Sequence, residues 1–107
     1  MRRRIFNTMK RVELVVERDQ LAAVQAVFSA HATGYTVVPE VVGFGHHGLR
    51  EDCLALVVTV VTPDHLDPIL DRLRPLLERR SGVVLVSDVG VMRGEYFVPE
   101  IAARTRL

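Results

Sequence analysis

The stretch Tyr35-Thr36-Val37-Val38-Pro39-Glu40-Val41-Val42-Gly43-Phe44-Gly45-His46-His47-Gly48 carries the reading of the whole chain. Its first half is rich in β-branched residues and reads as a strand. Pro39 removes a ladder donor, which a sheet tolerates only on an edge strand or at a bulge. This strand therefore belongs at a sheet edge. Gly43, Gly45 and Gly48 then alternate with an aromatic ring and two imidazoles. Glycines in such a pattern mark a loop whose backbone comes close to a ligand or visits positive φ.

Upstream, Val12, Leu14 and Val16 alternate with Arg11, Glu13 and Glu17, a first strand of period two. Asp19 is expected to cap the helix that follows, whose apolar stripe is Leu21, Val24, Val27 and Phe28. Gly34, after Ala32-Thr33, suits the position beyond that helix's last turn. Downstream, Leu54 to Val61 read as a third strand, and Cys53 at its start as a small buried residue. Thr62 is a natural N-cap and Pro63 fits the first helical position. Leu66, Ile69, Leu70, Leu73, Leu76 and Leu77 make the second helix's buried stripe. Asp64 and Asp67 at its start and Arg79 and Arg80 at its end complement the helix dipole. Pro75 is expected to kink or shorten it. Ser81-Gly82 ends it, and Val83 to Met92 form a fourth strand.

The order is β-α-β-β-α-β. This predicts an α+β, ferredoxin-like domain: an antiparallel four-stranded sheet with two helices on one face. The second strand lies at an edge of that topology, in agreement with Pro39. The domain is expected over residues 10–97, with 1–9 a disordered N-terminal extension (Met9 being an alternative start) and 98–107 a loosely held tail. Val57-Val58, Val60-Val61 and Val83-Val84-Leu85-Val86 are apolar at successive positions, so both faces of the sheet need cover. Two helices cover one face. The other is expected to pack against further copies of the chain.

A chain of 107 residues fits one domain. It carries one cysteine, which excludes an internal disulfide and fits a reducing compartment. The net charge of +1 gives a nucleic-acid partner no support, and the basic residues near the two ends read as solvated termini. No apolar run reaches membrane-spanning length, and no apolar segment follows Arg2 to Arg4 as a signal peptide requires. A cytoplasmic protein without membrane insertion is expected.

No base and orienting group accompany Ser29, Ser81 or Cys53, so the chain does not read as an enzyme. His46 and His47, followed by Glu51 and Asp52, form an alternative divalent-metal site, although adjacent side chains on an extended strand point opposite ways. The stronger pattern is anionic. Gly43, Gly45 and Gly48 allow several backbone N–H groups to face phosphate oxygens. His46, His47 and Arg50 add donors. Arg79-Arg80-Ser81-Gly82 and Arg93 form a second basic set, and guanidinium groups suit phosphates. These residues point to a phosphate-bearing ligand at a subunit interface.

Gly34-Tyr35-Thr36-Val37, Gly43-Phe44-Gly45 and Ser81-Gly82-Val83-Val84, set in this element order, resemble the PII superfamily over about Lys10 to Arg93. The resemblance implies a homotrimeric regulator, with sheets packed inside the trimer and adenine nucleotides (ADP, AMP or ATP) bound between subunits. It implies that Gly34, Tyr35, Thr36 and Val58 meet the adenine end. Gly43, Phe44, Gly45 and His46 would approach the phosphates at the root of the T-loop, with Arg80, Gly82 and Arg93 on the facing side. Only Leu49 to Asp52 separate Gly48 from the third strand, so the T-loop is short. It has no tyrosine, and His47 stands where classical members carry a glutamine. These departures point away from 2-oxoglutarate sensing. They bring the chain nearer to PII-like proteins of inorganic-carbon uptake and carboxysomes, where bicarbonate is part of the signal. His46, His47, Gly48 and Arg50 are the candidate bicarbonate site, and a transporter or carbon-fixation component the expected partner. No bound metal is expected; the alternative is a metal-responsive, CutA-type or efflux-associated trimer using His46 and His47.

Overall fold

The computed structural model describes residues 6–31, 34–45, 48, 50–78 and 82–92. In chain order these form β1 (Phe6–Glu17), a 3-10 turn (Arg18–Gln20), α1 (Leu21–Ala30), β2 (Tyr35–Phe44), β3 (Arg50–Val61), α2 (Pro63–Glu78) and β4 (Gly82–Met92). The sheet order is β2-β3-β1-β4 and each neighbouring pair is antiparallel. This is the α+β, ferredoxin-like arrangement that the element order predicts.

Strand alternation decides what each face carries. Val12, Leu14 and Val16 point to the helical side, where their register partners on β3 are Thr59, Val57 and Ala55. They pack with Val24 and Phe28 of α1 and Ile69 and Leu73 of α2 into one core in which every one of these side chains is buried. β2 sits at the edge, as Pro39 demands, and its ladder with β3 slips between Val38 and Val41. The proline thus falls where the pairing is already broken.

The other face carries Val15, Leu56, Val58, Val60, Val83, Leu85, Val89 and Val91, with Arg11 and Glu13 forming an ion pair among them. No described helix covers it. Met9 is buried there against Val60, Val89 and Val91, but Val83 is 45% and Leu85 54% exposed.

Four local expectations change. β1 begins at Phe6, so Phe6 to Met9 are strand; the register Phe6↔Met92 to Met9↔Val89 extends the β1–β4 ladder into them. Asp19 lies inside the 3-10 turn, and Gln20 takes the N-cap position of α1 without a side-chain cap bond. α2 runs unbroken through Pro68 and Pro75. Each proline leaves one carbonyl four residues earlier without its helical donor. Both prolines, and Asp64 and Asp71 at those earlier positions, are exposed, so the freed carbonyls belong to the solvent-facing side of α2. Cys53 is exposed and holds φ of 61°, left-handed backbone at the start of the regular β2–β3 pairing. The extension expected at residues 1–5 and the tail at 98–107 lie outside the described residues.

Gly82 tests the packing at the start of β4. A Cβ there would meet Leu77 Cδ2 at 2.8 Å and the Val15 carbonyl oxygen at 3.0 Å, and the backbone atom cannot swing aside. At Gly34 a Cβ meets nothing within 4 Å. Gly82→Ala should therefore lower stability by about 1–3 kcal/mol. Gly34→Ala should stay within about 0.5 kcal/mol of the parent. Urea midpoints of the two variants check this.

Candidate functional site

The fold gathers Gly43, Phe44, Gly45 and Gly82 around one cavity of about 570 Å³. Its remaining walls are Val15, Leu54, Val83 and Glu51. Val15 and Val83 are register partners on the uncovered face, so the cavity opens on that face at the end where β2 leaves the sheet. The glycines leave its wall as bare backbone. At Gly43 a Cβ would sit 3.1 Å from Leu54 Cδ1, so a side chain there would press on the cavity floor. Phe44 is 69% exposed beside it.

The hairpin that carries these glycines is short. Phe44 pairs with Arg50, and the Gly48 N–H donates to the Gly45 carbonyl at 2.9 Å. Gly48 has φ of 71°, the left-handed backbone that glycine adopts without penalty. Its N–H closes the turn and is therefore committed within the hairpin. Arg50, the other described member of the expected bicarbonate set, donates from Nε to Asp52 Oδ1 at 2.8 Å. It faces a second hollow, lined also by Arg18, Glu40, Val41, Cys53 and Leu54. His46, His47, Arg79, Arg80 and Arg93 lie outside the described residues. Among the described residues no group of three His, Cys, Asp or Glu side chains is placed to hold a metal ion.

The expected adenine-end residues gather elsewhere. Thr36 and Val58 are cross-strand partners on the uncovered face. Tyr35 points to the other face, where its ring lies 5.6 Å from that of Phe28, so only its backbone can serve a ligand beside Thr36. Six residues lie between Thr36 and Gly43, seven steps of extended chain or about 23 Å along the strand. The two clusters are too far apart for one nucleotide to touch both within a single chain.

Two features were not read from the sequence as functional, and a third was read only as a carboxylate of the alternative metal site. Thr59, 2% exposed, donates its hydroxyl to the Gly34 carbonyl at 2.5 Å and so fixes the entry into β2. A threonine at a helix-facing position inside the run Leu56 to Val61 was its signal. Arg18, in the 3-10 turn, reaches Glu40 on β2 at 3.0 Å. Its guanidinium is raised above its ordinary pKa, chiefly by a side-chain hydrogen bond with Cys53; the charges of Cys53 and Glu40 add to this and desolvation opposes it. The third is Glu51, which stands opposite Gly43 in the ladder.

Fold and cavity together define a PII-like signalling protein. The chain belongs to the nitrogen regulatory protein P-II family, whose model matches residues 9–96. A comparison with curated proteins found no match. Among solved structures, the chain is similar to CPII, a nitrogen regulatory PII-like protein from Thiomonas intermedia K12. In the structure of CPII bound to ADP, AMP and bicarbonate, the identity is 27% and the TM-score 0.77, over 86% of this chain and 95% of that one. In its complex with ADP and bicarbonate the values are 28% and 0.79, over 87% and 97%. A PII-like signalling protein from Thermus thermophilus, 24% identical with a TM-score of 0.72, covers 89% of this chain and is itself covered in full; it shares the fold. No described helix is long and apolar enough to cross a membrane.

Thr59→Val should leave the Gly34 carbonyl without its donor and cost about 1–3 kcal/mol. Thr59→Ser keeps the hydroxyl and should cost less. Chemical denaturation of the pair separates the hydrogen bond from the shape of the side chain.

Proposed function

We propose that this protein is a homotrimeric regulator that binds an adenine nucleotide between subunits, together with bicarbonate, and controls a partner in inorganic-carbon metabolism through its short β2–β3 loop. The observation that carries this reading is the glycine-lined cavity on an apolar face that the described chain leaves open. A phosphate chain approaching Gly43, Gly45 and Gly82 meets backbone that carries no side chain of its own. The adenine end falls to Gly34, Thr36 and Val58 of a neighbouring subunit, because one chain holds the two clusters too far apart. Arg80 and Arg93, which flank β4 in sequence, supply positive charge to the phosphates. His46 and His47 adjoin the same glycines and take the bicarbonate. The relatives that contain ADP, AMP and bicarbonate support this choice of ligands. Nucleotide can move the loop only as far as it favours one loop state over another. Bicarbonate and nucleotide must each raise the other's affinity by the same factor.

Calorimetric titration with ATP, ADP and AMP in chelator, with and without bicarbonate, tests the reading. Binding strengthened by bicarbonate is the expected outcome. Binding indifferent to bicarbonate removes the carbon link, and no binding overturns the reading. Leu85→Glu places a charge on the proposed interface. It should convert trimer to monomer in sedimentation and abolish nucleotide binding with it.

A further inference from the structure

The cavity contains a residue that its proposed ligand does not want. Among the described residues that line it, Glu51 alone carries a charge, and that charge is negative. Glu51 is the direct register partner of Gly43. Its cross-strand neighbour has no side chain to hold it away from the backbone. Its Oε1 lies 3.5 Å from the point where a Cβ on Gly45 would stand. The carboxylate thus borders the same bare backbone that a phosphate would approach.

Two like charges in a partly enclosed cavity repel more strongly than in open water, because less solvent lies between them. The penalty grows with each ionised oxygen brought in. AMP brings the least charge, ADP more, ATP the most. We propose that Glu51 is a charge filter that makes this site prefer nucleotides with one or two phosphates over the triphosphate. The inference rests on the nucleotide reading above and deepens it by naming the ligand class. Specificity here comes from a repulsive element added to an otherwise permissive site.

Glu51→Gln keeps the size of the side chain and removes the charge. The residue is exposed, so the variant should fold as the parent does. In chelator, its affinity for ATP should rise by roughly tenfold, for ADP by less, and for AMP by about twofold at most. The gain should shrink at high salt, as screening predicts. Glu78→Gln removes the same charge from the end of α2, which lines a different hollow, and should change the ATP to AMP affinity ratio by less than about twofold. An equal change for all three nucleotides in Glu51→Gln, or none, overturns the filter and leaves the nucleotide reading standing. So does a loss of ATP affinity in Glu51→Gln when magnesium is present, which would make the carboxylate a partner of the metal–triphosphate. Absence of nucleotide binding in both parent and variant overturns both proposals together.

Discussion

The position of β1 between β3 and β4 is the constraint on which the rest depends. Val12, Leu14 and Val16 are buried because a strand lies on either side and two helices lie above. Once that face is closed, the alternate residues of the same strands must point the other way. On β3 and β4 most of them are valines and leucines nonetheless, with Arg11 and Glu13 of β1 between them. The sheet is therefore built with one face covered by the two helices and one face that the described residues leave open.

The cavity inherits this asymmetry. It lies on the face left open, and its walls come from elements distant in sequence: Val15 from β1, the glycines from the end of β2, Glu51 and Leu54 from β3, Gly82 from the start of β4. Neither helix contributes a wall. The helices hold the sheet that positions the backbone, and the backbone lines the cavity. Substitutions in the core of α1 or α2 would act on the site through sheet geometry, whereas those at the glycines act on it directly.

Much of the architecture was legible because it rests on short-range rules. Pro39 fixed the edge strand, Pro63 the start of α2, and the valine runs a sheet with two apolar faces. The misreadings share a cause. Cys53 in left-handed backbone and the uninterrupted passage of α2 through Pro75 depend on register and on which side of an element faces water. A single strand of sequence does not carry that information. The glycines that line the cavity stood out, since a wall of bare backbone leaves a compositional mark. Thr59 was not picked out, and Glu51 only as a carboxylate near His46 and His47, because each matters through what stands across from it: a carbonyl in one case, a missing side chain in the other.

The β2–β3 hairpin is closed at both ends. The Gly48 to Gly45 bond ties its tip, and Arg18, joined to Glu40, ties its root to the turn after β1. A long loose arm searches a large volume and must give up its freedom when it docks. A hairpin tied in this way gives up little, so less of its contact energy is lost to ordering. Its capture radius is correspondingly small. Any macromolecule that reads its described residues must come to the edge of the sheet, where the ladder and these two ties already hold them, with an encounter rate set by rigid-body orientation.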